Sequence, residues 1–432
     1  MRTEVNFTVA NIPKFKEALL KWAQQFHEIV WLDSNGHTGT HSSFDGLLAA
    51  DALTAMVTDH HNAFEELKTY QGGSKDWLFG YLSYDLKNEV EQLSSSNFDG
   101  LDFADMHFFQ PKRIIQIKGD QIKFCYLNMV VDEIEEDFRA ITTQSILEES
   151  ESSPDTAIRI KLRIFKDDYF NRVKQLLARI HRGDIYEANF CQEFYAEDTR
   201  IDPLRTFKKL NSISKPPFAT FLKFKDVYAL SASPERYIRK QGVKITSQPI
   251  KGTAKRSLDY QEDEKLKFDL ERDPKERAEN IMIVDLVRND LSKSALKGSV
   301  VVEELCKVYS FEQVHQMIST ILATVDKEKN PVEIIKETFP MGSMTGAPKV
   351  SAMKIIEELE ASKRGLYSGA VGYFTPEGDF DFNVIIRSIL YNSSKQYVSF
   401  SVGSAITAKA SPEKEYEECL LKAKAMREVL EG

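Results

Sequence analysis

The sequence predicts an α+β fold built on antiparallel sheet. Strand-like and helix-like runs come in blocks, not in the strict alternation of a doubly wound parallel sheet. Two stretches read as hairpins: "IIQIKGDQIKFCYL", turning at Gly119-Asp120, and "GAVGYFTPEGDFDFNVIIRSIL", turning over 376–379. With 432 residues, 42% hydrophobic and 28% charged, the chain can bury one large core or two.

Taken in order, residues 12–27 carry apolar positions at helical spacing, and "WLFGYLSYDL" (77–86) reads as a strand. Residues 1–131 are thus expected to form an N-terminal α/β region. From 132 to 156 the chain turns acidic and serine-rich, ending in "LEESESSPDT", and is expected to be a linker with little to bury. Residues 157–432 would form the second unit. A helix is expected over 163–182 and strands over 217–223, 227–231 and 243–250. "DPKERAENIMIVDLVRNDLS" opens a helix with Asp273 as cap, Pro274 in the first turn and Glu276 three residues after the cap. "GAPKVSAMKIIEELEASKRG" is a helix entered from a glycine-rich loop and ending near Gly365. The stretch after the 376–379 turn reads as one strand through Arg387, and "SPEKEYEECLLKAKAMREVL" is a terminal helix.

Bulk properties exclude several classes. A net charge of −9 argues against a nucleic-acid groove. No apolar run reaches membrane-spanning length and the N-terminus lacks a signal-peptide core, so a cytoplasmic protein is expected. Cys125, Cys191, Cys306 and Cys419 are far apart in sequence, which suits reduced thiols rather than disulfides or zinc ligands.

Four constellations carry possible chemistry. Glu279 shares a helical stripe with Ile283 and Leu286, and Glu415 and Glu418 share a face of the terminal helix; two such helices could hold Mg²⁺, although by spacing alone a solvated acidic face is the commoner outcome. "PMGSMTGAPK" (340–349) could offer backbone N–H groups to an anion. It fails the phosphate-loop pattern, having Ala347, Pro348 and Lys349 where glycine, lysine and a hydroxyl residue are needed. Arg387 could grip a carboxylate, or pair with Asp381. Glu235 and Lys251 stand near the ends of two neighbouring strand patterns, as an acid and an amine on one pocket or as a surface ion pair.

Together "SASPERY", "QPIKGT", "ERAENIMIVDLVRNDL", "FPMGSMTGAPKVSAMKIIEELE", "GAVGYF" and "DFNVIIRS" occur in an order that resembles the chorismate-utilising enzymes, over roughly residues 160–432. Weaker likeness extends N-terminally through "GYLSYDL" and "FADMHFFQP". The resemblance implies two large antiparallel sheets packed as a sandwich with flanking helices, as in anthranilate synthase component I. It implies chorismate as substrate and Mg²⁺ held by Glu279 and Glu418, with Glu276 and Glu415 as outer partners. Arg387 and Tyr373 would hold the ring carboxylate, helped by the backbone near Gly403. Thr253, Thr345 and Gly346 would belong to the substrate site, Glu235 would be the general acid, and His315 would lie near the departing hydroxyl.

The P-I-K-G-T form around Lys251 is similar to aminodeoxychorismate synthase component I, whereas anthranilate synthases usually carry alanine there. The likeness implies a neutral Lys251 amine that attacks C2 of chorismate and is later displaced by ammonia at C4, giving 4-amino-4-deoxychorismate for 4-aminobenzoate and folate synthesis. Ammonia would come from a separate glutamine amidotransferase subunit. The alternatives are anthranilate synthase component I and a non-catalytic binding subunit. Glu187 departs from the pattern: it stands where isochorismate and salicylate synthases place a lysine base and where amine-transferring members usually have glutamine. Asn280, Ala405 and Lys409 depart too. By position, Ser34, His41, Ser42, Ser43, Phe44, Pro217, Phe218 and Ala219 match a tryptophan pocket in related proteins.

Overall fold

Two thirteen-residue strands, β3 (Gly46–Thr58) and β5 (Met106–Lys118), tie the molecule together. They form a long antiparallel ladder interrupted by a bulge between Ala52 and Thr54, where Asp51 takes φ +63°. A bulge bends and twists a strand, so each member can serve two layers. The computed structural model describes residues 1–37, 43–144, 158–312 and 314–432.

Before and between these strands come β1 (Arg2–Thr8), α1 (Ile12–Ala23), β2 (Glu28–Asp33), α2 (Ala63–Ser74), β4 (Leu78–Leu82) and α3 (Lys87–Val90). After them follow β6 (Gln121–Leu127), α4 (Ile134–Gln144), β7 (Lys161–Leu162), α5 (Lys166–Arg182), β8 (Glu187–Ala196), α6 (Pro203–Ser214), β9 (Phe218–Phe224), β10 (Val227–Ser233), β11 (Arg236–Gln241), β12 (Lys244–Gln248) and β13 (Ile250–Lys255). The remainder is α7 (Tyr260–Arg272), α8 (Pro274–Ser292), β14 (Val301–Ser310), β15 (Val314–Thr324), α9 (Pro331–Thr338), β16 (Gly346–Ala347), α10 (Lys349–Leu359), β17 (Ala370–Phe374), β18 (Phe380–Val384), β19 (Ser388–Asn392), β20 (Tyr397–Thr407) and α11 (Pro412–Glu431).

Every ladder is antiparallel, as the hairpin patterns predict. One layer runs β1-β6-β5-β3-β2-β9-β10-β19-β20-β8. The other runs from β5 through β4, β17, β18, β11 and β12 to β15, which carries β13 and β14. The two layers of the expected sandwich are therefore one continuous hydrogen-bonded sheet folded over at β3 and β5. Between them lies a core in which Phe224 of the first layer meets Tyr81 and Phe109 of the second. A second core fills the space between the first layer and α1, α4, α5, α6, α10 and α11.

Local signals explain the helices nearest the site. Asp273 accepts hydrogen bonds from the backbone N–H of Lys275 and Glu276, which starts α8 where the capping pattern places it. In α5 the buried residues Tyr169, Val173, Leu176 and Ile180 form one stripe, and Gly183 at φ +91° ends it in the left-handed conformation that glycine adopts freely.

Three expectations need correction. The acidic stretch from 132 is not linker throughout. α4 buries Ile134 and Ile141 and stacks Phe138 on Phe7 at 3.9 Å, because its apolar residues have helical spacing within an acidic background. Residues 145–157 lie outside the described residues. The boundary at 131 does not separate independent folding units, since β2 pairs with β9 and β4 with β17. The expected single strand through Arg387 breaks after Val384, and Arg387 stands at φ +51° in the crossover before β19. No helix among the described residues is long and apolar enough to cross a membrane.

Candidate active site

Two crossovers between the layers run side by side. One carries Glu235 from β10 to β11; the other carries Arg387 from β18 to β19. Val384 N–H donates to Glu235 O at 3.0 Å and Ala232 N–H to Arg387 O at 3.1 Å, so each crossover fixes the other. Glu235 is buried and accepts a 2.6 Å hydrogen bond from Ser343 Oγ. Burial pushes its carboxyl up to about 7, against the opposing pull of Ser343, Lys251 and Arg387. A carboxyl with such a value can hold a proton and release it near neutral pH, as a general acid must. The half-buried Arg387 guanidinium makes no hydrogen bond or ion pair among the described residues, and burial lowers its pKa while Glu235 opposes the shift. The alternative pairing with Asp381 does not occur, because Asp381 binds Arg236 at 2.9 Å.

Lys251 lies in β13, which pairs with β15. Its Nζ is 3.5 Å from Glu187 Oε1, and its side chain is 15% exposed, so it is not part of a surface ion pair. Burial pulls the ammonium pKa down, but Glu187, Glu279, Glu235 and Glu418 outweigh it and leave the value above that of ordinary lysine. This reverses the expected depression of the lysine pKa: the charges gathered around Lys251 are negative. Asn280 holds the lysine backbone, donating from Nδ2 to Lys251 O at 3.3 Å while accepting from Ser319.

The loop before α10 forms one wall. Gly346 pairs with Ala188 of β8, and a Cβ on Gly346 would lie 2.1 Å from Glu187 O, so only glycine permits this approach. Thr345 is buried and its carbonyl accepts from Asn189 N–H at 2.7 Å. Buried Arg364 clamps the same loop by donating to Met344 O and Asn189 O, both at 2.7 Å. Lys349 is a structural ion rather than a phosphate ligand: it is buried on Asp290 at 2.5 Å and on Pro340 O at 2.9 Å.

The four expected metal carboxylates sit on α8 and α11. Burial raises the pKa values of Glu276 and Glu415 and pushes Glu279 to about 7 despite the nearby Lys251 and Lys275. At Glu418 burial is outweighed by Lys422, Lys275 and Lys251, and its pKa is lowered. The cations beside them are side chains: Lys275 lies 3.8 Å from Glu279 and Lys422 lies 2.7 Å from Glu418. Among the described residues no three His, Cys, Asp or Glu side chains gather closely enough to hold a metal ion. The donor chemistry nevertheless fits a hard cation, and Glu279 Oε1 is buried without a hydrogen-bond partner.

Other expected residues fall elsewhere. Tyr373 is not beside Arg387. It pairs with Asp381 at the far end of β18 and packs against Phe44, Trp77 and Phe79. The tyrosine placed toward Gly403 is Tyr367: its hydroxyl is 3.7 Å from Cys191 Sγ, and Cys191 pairs with Gly403. It precedes β17 in an irregular turn, where no periodicity in the sequence marks its direction. His315 is fully buried with both ring nitrogens engaged, by Ser310 at 2.9 Å and Asp263 at 3.1 Å, rather than open to a ligand. Thr253 is exposed on β13. Of the residues matched to a tryptophan pocket, Phe44 packs on Tyr373, Ser43 accepts from Arg239 and Phe218 lies under Arg236; Ser34 is buried just after β2, Ala219 is buried on β9, and Pro217 precedes Phe218. His41 and Ser42 lie outside the described residues.

A model of the chorismate binding enzyme family matches residues 23–428. The "Probable aminodeoxychorismate synthase, chloroplastic" of Oryza sativa subsp. japonica is 41% identical over 269 residues, covering 62% of this chain and 30% of that protein. This chain thus spans less than a third of that relative's length. Aminodeoxychorismate synthase component 1 of Bacillus subtilis (strain 168) is 30% identical over 390 residues, covering 86% of this chain and 81% of that protein. The crystal structure of anthranilate synthase component I from Streptococcus pneumoniae TIGR4 superposes with a TM-score of 0.77 at 24% identity, covering 91% of this chain and 95% of that one, and shows the same fold. The family match reaches back through β2, β3 and β4, the strands that join the N-terminal region to the layers around Glu235 and Arg387. By this match over nearly its whole length, the chain belongs to the chorismate binding enzyme family.

Proposed function

We propose that this chain converts chorismate and ammonia to 4-amino-4-deoxychorismate, the ammonia being released from glutamine by a separate amidotransferase subunit. The observation that carries the reading is the largely buried Lys251, inside the P-I-K-G-T stretch and in the joint field of Glu187 and Glu235. An amine held there suits nucleophilic attack, and a neighbouring acid suits departure of a hydroxyl.

In this reading Arg387, free of protein partners among the described residues, receives a substrate carboxylate. Once its ammonium proton has been removed, the neutral Lys251 amine bonds to C2 as the 4-hydroxyl leaves as water with the proton of Glu235. Ammonia then bonds to C4, the C2–nitrogen bond breaks, and its electron pair returns to Lys251. The new amine gives a proton back to Glu235. Glu279 and Glu418 would hold Mg²⁺, with Glu276 and Glu415 as outer partners; the ion would neutralise and orient a substrate carboxylate.

The test is product identity. Purified protein with chorismate, Mg²⁺ and ammonium salt should yield 4-amino-4-deoxychorismate by liquid chromatography and mass spectrometry. Anthranilate as the main product, or no turnover, overturns the reading. Lys251→Ala should slow the reaction, and ammonia at high concentration should restore some of it by direct attack.

A further inference from the structure

We propose that Glu187 is the base for Lys251: it takes the ammonium proton before the amine bonds to carbon and returns it when the lysine leaves. This rests on the covalent reading of Lys251 above.

Glu187 opens β8 beneath the Gly346–Ala347 strand and is 2% exposed. Among the described residues it is the one carboxylate within ion-pair distance of Lys251 Nζ, at 3.5 Å. Its other oxygen, Oε2, is buried and has no hydrogen-bond partner. A buried carboxylate is ordinarily saturated with donors; this one leans on a single lysine. Two charges held out of water are costly, and moving one proton from the ammonium to the carboxylate removes both at once. Glu279 from α8, Glu235 from the β10–β11 crossover and Glu418 from α11 also face Lys251, while Lys251 and Glu279 face Glu187. None of the other three carboxylates touches the lysine nitrogen. Glutamine, usual at this position in the amine-transferring relatives, could not accept the proton.

The cycle balances. The Lys251 proton passes to Glu187, and the neutral amine bonds to C2 while Glu235 protonates the departing hydroxyl to water. The bonded nitrogen carries the positive charge. Ammonia bonds to C4, the C2–nitrogen bond breaks with its pair returning to Lys251, and the new amine passes one proton to Glu235. Glu187 then returns its proton to Lys251.

The experiment measures kcat/KM for chorismate against pH, at fixed free ammonia and saturating Mg²⁺, in wild type, Glu187→Gln, Glu187→Asp, Lys251→Ala and the Glu187→Gln/Lys251→Ala double variant. Taking each variant as a ratio to its parent removes the titration of Glu235 and Glu279 common to both. The Glu187→Gln ratio should be on the order of 10⁻² at neutral pH and climb about tenfold per pH unit, because the proton must then leave to solvent. Glu187→Asp should give a ratio independent of pH, and Glu187→Gln should have no pH-dependent effect in the Lys251→Ala background. A pH-independent loss in Glu187→Gln, as simple misfolding would give, overturns the proposal, as does the same pH dependence without Lys251. Failure of the covalent reading is seen separately, as wild-type rate and product in Lys251→Ala alone.

Discussion

Ser343 donates a 2.6 Å hydrogen bond to Glu235 Oε1, joining the loop before α10 to the crossover between β10 and β11. That bond favours the ionised carboxyl, while burial, the larger influence, favours the protonated one and carries the group to about 7. Ser343→Ala removes the bond and should raise the Glu235 pKa by about one further unit, since a hydrogen bond to a charged group contributes about 1.5–3 kcal/mol. As the acid must be protonated, activity falls as pH rises through this value. The alkaline limb of the kcat profile should therefore move upward in Ser343→Ala. An unmoved limb would show that Ser343 does not tune the acid.

Glu235 should also cost the protein stability. Its folded pKa of about 7 lies above the ordinary 4.5, so the folded state holds the proton more tightly than the unfolded chain. Stability then falls as pH climbs from 4.5 to about 7 and keeps the full loss above that window. Glu235→Gln should be more stable than wild type in alkaline buffer by up to about 3 kcal/mol, with the advantage vanishing in acid. Urea denaturation at the two extremes measures it, and equal stabilities at both would refute it.

Arg387 is held in the left-handed region by the two backbone bonds between the crossovers, and no protein carboxylate claims its guanidinium among the described residues. Arg387→Met should raise the KM for chorismate by a factor equivalent to about 2–3 kcal/mol, through loss of charge-assisted hydrogen bonds. Lysine at this position should recover only a fraction of that, because it lacks the planar fork. Steady-state kinetics decide, and an unchanged KM would remove Arg387 from the substrate site.

Mg²⁺ binding should depend on pH through Glu279. Its carboxyl titrates at about 7, raised chiefly by burial, and must lose its proton to act as a ligand. Calorimetric affinity for Mg²⁺ should therefore strengthen as pH rises through that value. Glu279→Gln should weaken binding by about 10- to 100-fold, the loss of one charge-assisted contact. A variant that binds Mg²⁺ as wild type does would exclude Glu279 as a ligand.

Much of the frame is written in local patterns. The hairpin at Gly119-Asp120, the cap at Asp273 and the helix expected over 163–182 each depend on residues a few positions apart, and the structure places a hairpin, a cap and α5 there. The likeness to chorismate enzymes is of the same kind, carried by short motifs in order. Tyr373 shows where such reading fails. An aromatic residue in a strand points to one of two faces at one of two ends, and the sequence alone does not say which lies beside Arg387. Tyr367, in an irregular turn, gave no period to follow. The linker expectation failed over α4 because acidic composition masked a spaced apolar stripe, Ile134, Phe138 and Ile141.

The sequence by itself determined the fold class and the family, and it singled out Glu235, Lys251 and the four glutamates of α8 and α11 as candidates. Only the tertiary structure decided what those groups do to one another. Lys251 and Glu187 are brought to 3.5 Å by β13 and β8, strands that do not pair, and Glu235 meets Ser343 across more than a hundred residues of chain. Charge states follow from such long-range neighbours and from burial, which no local pattern encodes. Hence the lysine expected to be held neutral stands among four carboxylates that favour its charge.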